Sequence, residues 1–247
     1  MFQIVCLNVG SKYPDRYVER LYNMLSRHVD GSLELTCFTD RKREISADIR
    51  QVDCSSWGYE GWFNKIKLFD VDEMPATEFY YFDMTLVIRS NLGKLFDFAQ
   101  RSEADLVAVK DWNYDVLNSC VMRITRSETS QVIWETFRNR EYGDEGFSGD
   151  QNFIDAVIKR KKLTSKVDYF PEEMIVAYRS LLKLHRKDSH AAREHLERSA
   201  ILKFHGSPRM TDILSPISFF KRVTLRYPLW AKKDWMYLSN EVRENWR

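Results

Sequence analysis

Glycine is scarce, with nine residues in a chain of 247, and no GxGxxG follows the first apolar run. A dinucleotide-binding turn needs those glycines to let backbone approach a pyrophosphate, so a Rossmann dehydrogenase is disfavoured. Long apolar runs are missing too. None approaches the roughly 20 residues that span a bilayer. The start, Met1 to Leu7, lacks the basic stretch of a secretory signal. The four cysteines (Cys6, Cys37, Cys54 and Cys120) show no CxxC spacing. Three of them lie in apolar, strand-like surroundings, which reads as buried free thiols in a reducing cytosol. The expected location is cytoplasmic, either free or peripheral to the inner membrane face. No internal repeat, low-complexity tract or linker is visible.

What is present suits a globular chain: 44% hydrophobic and 30% charged residues, neither depleted in apolar side chains nor strongly charged overall. Aromatics reach 14%, with seven Trp. The net charge of +2 conceals an asymmetry. Residues 151–247 hold 20 Lys and Arg against 11 Asp and Glu, whereas residues 1–150 hold 18 against 25. The C-terminal part is either a docking surface for something anionic or a solvated basic face.

Strand and helix signals alternate through the first half, which predicts an α/β sheet. Strands are expected at residues 2–7, 33–38, 79–82, 86–88, 106–109, 119–124 and 200–204. Helices are expected from Asp15 (with Val18, Leu21, Tyr22, Leu25 and Val29 on one face), at 62–69, at 92–98, around Val132, Ile133 and Phe137, and at 150–158. The last of these would be capped by Ser148 or Asp150. The polar, His-rich stretch 181–198 reads as an insertion or a peripheral helix. From Ile217 onwards, aromatics alternate with Lys and Arg as in an interfacial amphipathic segment.

In open α/β sheets ligands bind beyond the carboxyl ends of the strands. Three predicted strand ends carry suitable groups: Thr39-Asp40, Asp83-Met84-Thr85 and His205-Gly206. A carboxylate turn after a very apolar strand can seat a hard cation bridging two phosphates. His205 would add a nitrogen ligand, which manganese accepts better than magnesium.

The ordered set of motifs resembles glycosyltransferase family eight, the glycogenin and lipopolysaccharide-galactosyltransferase group. The set is Cys-Phe-Thr-Asp at 37–40, Trp-x-x-Lys-x-x-Leu-Phe at 62–69 and Tyr-x-Asp-x-x-x-Val-Ile at 81–88. It continues with Asn-Ser-x-Val-Met at 118–122, Asp150-Gln151 and His-Gly-x-Pro at 205–208. The resemblance covers residues 2–210. It implies a GT-A-type α/β fold, a single Rossmann-like mixed sheet flanked by helices. The nucleotide-sugar half would span about 1–110 and the acceptor half about 111–210, followed by a basic aromatic tail at 211–247.

By the same resemblance, Leu7, Asn8, Val9, Thr39 and Asp40 would hold the nucleoside, and Lys65 would face the diphosphate or the sugar. Asn118, Ser119, Asp150 and Gln151 would touch the donor sugar. Gly206 would let backbone approach the diphosphate, with Arg209 neutralising charge. Asp83 and His205 would bind Mn²⁺ or Mg²⁺. One departure stands out: where the family carries a second metal carboxylate, this chain has Thr85, a poorer ligand.

Each residue also has a plainer reading. Asp83 would then cap a strand break, and Asp40 would pair with the following Arg41-Lys42-Arg43. His205 would be a satisfied surface imidazole, and Asp150-Gln151 would begin a helix favoured by its dipole. Trp57 and Trp62 read as packing residues. His185, His190 and His195 are spaced by five, fit no helical face and read as surface residues.

The implied reaction moves a hexose or pentose from a nucleotide-diphosphate sugar to an acceptor hydroxyl, with metal assistance and retention of configuration. Retention would come from same-face attack with the diphosphate oxygen as base, or from double displacement through Asp150 or Gln151. The acceptor would be a saccharide or glycolipid such as lipopolysaccharide, with the tail on anionic headgroups, or a hydroxymethylated DNA base gripped by the basic part. The competing reading is a catalytically weakened relative that only binds nucleotide sugars.

Overall fold

The computed structural model describes residues 1–143, 145–206, 208–215 and 238–247. The expected tail segment from Ile217 to Lys233 lies outside the described residues. Seven strands form a mixed sheet: β1 (Phe2–Asn8), β2 (Leu33–Thr39), β3 (Arg50–Asp53), β4 (Glu78–Phe82), β6 (Leu106–Lys110), β7 (Leu117–Thr125) and β8 (Val167–Tyr169). Their order is β3-β2-β1-β4-β7-β6-β8. A second sheet has the order β5-β10-β9, from β5 (Leu86–Ile88), β9 (Ile175–Ala177) and β10 (Ile201–Lys203). The α/β expectation holds, with this second sheet in addition.

Side-chain alternation along β1 and β4 splits the interior in two. Ile4, Cys6, Tyr80 and Phe82 point into one core, while Val5, Phe79 and Tyr81 point into the other. That is the period of two that a strand imposes. The first core packs α1 (Arg16–His28) and the second sheet. The second takes α4 (Glu128–Arg138) and α5 (Asp150–Arg160). Between them in the chain lie α2 (Phe63–Ile66), which continues into a 3₁₀ turn at Lys67–Phe69, and α3 (Gly93–Arg101). The four cysteines are free thiols, all buried. No helix among the described residues is long and apolar enough to cross a membrane.

Four local expectations are corrected. Helix α5 is capped by the backbone of Gly149, without a side-chain bond from Ser148 or Asp150. The stretch 181–198 is not one peripheral segment but two helices, α6 (Tyr178–Lys187) and α7 (Ser189–Arg198), which break at Asp188. The Asp188 carboxylate accepts from the amides of His190 and Ala191 and so starts α7. The strand that resumes after Asp83 leaves the main sheet for the second one, and the short strands β3, β8 and β9 were not anticipated. Beyond β10 come α8 (Met210–Leu214) and α9 (Ser239–Asn245). Leu238, Val242 and Trp246 are buried in the first core.

Candidate active site

Strand direction assembles the site. Strands β1, β2 and β4 are parallel, so their carboxyl ends share one edge of the sheet and deliver Asn8, Thr39 and Asp83 there. Strand β7 runs antiparallel to β4, so its beginning, with Asn118 and Ser119, lies at that same edge. The bond from the Asp83 amide to the Cys120 carbonyl, 2.9 Å, ties the two together. Strand β6 is antiparallel to β7, and its carboxyl end therefore adds Asp111. Antiparallel pairing of β10 with β5 sets Lys203 opposite Leu86, and the Phe204 amide bonds the Thr85 carbonyl at 2.9 Å. His205 follows directly. Asp83 and His205, remote in sequence, thus reach one end of the fold.

At the centre is an alternation of ammonium and carboxylate groups. Lys65 Nζ lies 3.0 Å from Asp150 Oδ2 and 3.8 Å from Asp83 Oδ2, and donates to Ser119 Oγ at 3.2 Å. Ser119 Oγ in turn donates to Asp150 Oδ2. Lys203 Nζ lies 3.3 Å from Asp83 Oδ2 and donates to Thr85 Oγ1. Asp83 Oδ1 accepts from the Thr85 amide at 2.8 Å and from the Thr85 hydroxyl at 2.7 Å. Burial works to raise the Asp83 pKa. Lys203, Lys65 and the two Thr85 bonds outweigh it and hold the carboxyl well below its usual range. Burial likewise works to lower Lys65, yet Asp150, Tyr81 and Asp83 keep its ammonium well above the ordinary lysine range. Both side chains are charged at neutral pH.

A second set of contacts radiates from Asn118. Its amide nitrogen donates to Asp111 Oδ2 at 2.8 Å and to Gln151 Oε1 at 3.2 Å, and meets His205 Nε2 at 3.4 Å. The two shorter bonds take both amide hydrogens, so His205 Nε2 shares one of them when the imidazole proton sits on Nδ1. Burial and then the Lys203 ammonium push His205 down to about 4, against the opposing pull of Asp111 and Asp83. The ring is neutral at pH 7 and stands edge-on to Trp112, centroids 5.2 Å apart.

The nucleoside residues are distributed less evenly. Asn8 is fully buried, and neither polar atom of its amide has a partner. A buried amide of this kind calls for a partner, and a ligand group or a bound water can supply it. Thr39 is occupied: its hydroxyl donates to the Arg41 carbonyl and accepts from Arg43 Nε at 2.8 Å. Asp40 accepts from the Gly10 amide and from Arg43 Nη2, each at 3.0 Å, which is the plainer reading of that acid. Leu7 and Val9 are half-buried against the second core. Gly206 adopts the left-handed region, φ 61°, which disfavours other residues there. Arg209 lies over the Tyr13 ring, 5.4 Å from its centroid, and bonds the Lys12 carbonyl.

Four residues here were not singled out from sequence. Lys203 had a signal, a lysine inside an apolar strand two positions before His205. Asp111 satisfied the strand-end criterion that found Asp83. Arg43 stands in the sequence only as a partner for Asp40 within a charge run. Its guanidinium is buried and bonds the Asn8 carbonyl at 2.7 Å, the Gly10 carbonyl at 2.8 Å and Asp15 at 3.0 Å. Tyr13, pushed up to about 12 by burial and by Asp83, gave no signal.

The residues read as metal ligands do not fit a divalent ion as they stand. All three side-chain oxygens of the Asp83-Thr85 pair are engaged: Asp83 Oδ1 and Thr85 Oγ1 with each other, Thr85 Oγ1 also with Lys203, and Asp83 Oδ2 with Lys203 and Lys65. Among the described residues no group of three or more His, Cys, Asp and Glu could hold a metal. His190 is exposed, and His185 and His195 lie on separate helices. Trp62 packs in a tilted arrangement against Phe63, centroids 4.0 Å apart, and Trp57 likewise against Phe38 at 5.0 Å. Trp62 and Phe63 also line a cavity of about 570 Å³ with Tyr59, Phe137, Tyr142 and Phe147. That cavity shares no residue with the charged cluster.

No family model and no curated protein matches the sequence. Among solved structures, the galactosyltransferase LgtC in complex with donor and acceptor sugar analogs is similar at a TM-score of 0.61 and 13% identity. The match covers 97% of this chain and 96% of that one. The glycosyltransferase GlyE of Streptococcus pneumoniae TIGR4 is similar at 0.60 and 14%, covering 98% of this chain and 63% of that one. Mouse xyloside xylosyltransferase 1 is similar at 0.54 and 11%, covering 84% and 98%. At these identities the likeness establishes architecture: the chain has the GT-A glycosyltransferase fold.

Proposed function

We propose that this chain is a glycosyltransferase that moves a hexose or pentose from a nucleotide-diphosphate sugar to an acceptor hydroxyl. The observation that carries the reading is the convergence of Lys65, Asp83, Asn118, Asp150, Lys203 and His205 at the strand-end edge of a GT-A sheet. The unpartnered Asn8 amide beside them supports a nucleoside at the end of β1.

Glycosyl transfer needs a stabilised leaving group, because negative charge grows on the diphosphate as the bond to the sugar breaks. Lys65, Lys203 and Arg209 are cations placed to meet that charge before it develops, so little reorganisation is needed during the reaction. Asp150 is engaged by both Ser119 and Lys65. A carboxylate so neutralised is a weak nucleophile. Its bonds favour a positioning role for Lys65, which supports same-face attack, with a diphosphate oxygen taking the acceptor proton, over double displacement. Gln151 and Asn118 would orient sugar hydroxyls. A saccharide or glycolipid acceptor is favoured, since the similar galactosyltransferase LgtC was solved with donor and acceptor sugar analogs.

The test is release of nucleoside diphosphate from a panel of nucleotide sugars, with and without saccharide acceptors. Turnover with at least one donor supports the reading. Binding without turnover would leave a nucleotide-sugar-binding relative, the outcome that Thr85 in place of a second acid keeps in view.

A further inference from the structure

We propose that Lys203, acting with Lys65, takes the place of a divalent cation in this chain, so that a donor diphosphate is received by two fixed ammonium groups without a metal. The inference rests on the nucleotide-diphosphate reading given above and specifies how that site meets its phosphates.

The geometry around Asp83 carries it. A metal needs oxygen lone pairs aimed at an open position. Here Asp83 Oδ1 already accepts both the amide and the hydroxyl of Thr85. Asp83 Oδ2 faces Lys203 at 3.3 Å and Lys65 at 3.8 Å. The Thr85 hydroxyl gives its proton to Asp83 and its lone pair to Lys203. The seat beside Asp83 is filled from within: its neighbour two positions on is a neutral hydroxyl, and a lysine points at it. A single carboxylate already bonded at both oxygens, with a fixed ammonium against it, leaves no free ligand set for a metal. A dication close to a buried ammonium would meet repulsion that a low-dielectric setting magnifies.

Lys203 is not a mobile surface lysine. It is buried, and its backbone is held by β10 pairing with β5 on one side and β9 on the other. Each ammonium uses two of its three donors within the cluster, Lys203 on Thr85 and Asp83, Lys65 on Ser119 and Asp150. An ammonium carries three N–H donors, and the third on each is the one a phosphate oxygen would take. Charge-assisted bonds from fixed donors are the strong kind. Arg209, over Tyr13, adds a further cation to the same end of the sheet.

The deciding experiment is calorimetric titration of the full chain with uridine, guanosine, cytidine, adenosine and thymidine diphosphates, each in EDTA and each in Mn²⁺. The expected result is that one of them binds with a Kd unchanged within about twofold between the two solutions. Lys203→Met should weaken it at least about tenfold in both, while Lys203→Arg should retain most of the affinity. Binding by the wild type that requires Mn²⁺ would overturn the inference and leave the donor reading standing. No binding in either solution would overturn both. If Lys203→Met fails to fold, the wild-type comparison between EDTA and Mn²⁺ decides alone.

Discussion

Lys203 Nζ stands 3.3 Å from Asp83 Oδ2, joining the last strand of the small sheet to the turn that ends the central strand of the large one. The contact locks the two sheets together at the edge where the site forms. Removing the acid strands two ammonium groups in a largely buried position. Asp83→Asn should therefore lower the unfolding free energy by on the order of 3 kcal/mol. In urea the midpoint should fall with no change in m value.

The same groups set the acid limb of stability. His205 is depressed to about 4, while an unfolded histidine titrates near about 6.5. Between those values the unfolded chain binds the extra proton, so stability is full above about pH 6.5 and declines as pH falls toward 4. Asp83 is held below its unfolded value. Its contribution is present above about pH 4 and is lost at still lower pH. Thermal melts should show the wild-type Tm falling as pH is lowered from 7 to 4, and a flatter profile in His205→Gln. Identical profiles would refute the assignment of a buried neutral imidazole.

Arg43 should behave as a structural hub for the nucleoside end. Its buried guanidinium joins the Asn8 and Gly10 carbonyls to Asp15, Thr39 and Asp40. Arg43→Met removes these bonds and should cost about 2–4 kcal/mol of stability. Nucleotide affinity should weaken as well, because the end of β1 that carries Asn8 loses its anchor. An unchanged chemical-denaturation midpoint would contradict this role.

Asn118 links Asp111, Gln151 and His205. Asn118→Ala should cost only about 1 kcal/mol in folding, since Asp111 and His205 reach the site edge. Its effect on turnover should be larger, a fall in kcat/KM of about tenfold or more, corresponding to about 1.4 kcal/mol at the transition state. Loss of stability with intact kcat/KM would make Asn118 a packing residue.

The fold was legible where periodicity is long and the pattern one-sided. Helix α1 and strands β1, β2, β4 and β7 fell within a residue or two of expectation, because their apolar faces repeat over a full element. Strands β3, β8 and β9 were invisible for the opposite reason: three or four residues at a sheet edge carry too little alternation to stand out. The acids at 83 and 150, Lys65, Asn118 and His205 followed from the order of motifs. Lys203 did not, because its meaning comes from pairing. Only when β10 aligns antiparallel with β5 does a lysine in an apolar strand arrive beside Thr85. Strand register between distant segments is not written in either segment alone. The helix cap at Gly149 was missed because the preference for Ser or Asp at such positions is statistical, and here Asp150 is drawn instead to Ser119 and Lys65.

The most direct test of the central claim is a thermal-shift titration with nucleotide-diphosphate sugars on the wild type and on Lys65→Met. Saturation at about 100 times Kd stabilises a native state by about 2.7 kcal/mol, which in a chain of this size raises Tm by roughly 5–10 °C. The account predicts such a rise with at least one donor in the wild type and its loss in Lys65→Met. A flat response across the panel, or a full rise retained without the Lys65 ammonium, would contradict it.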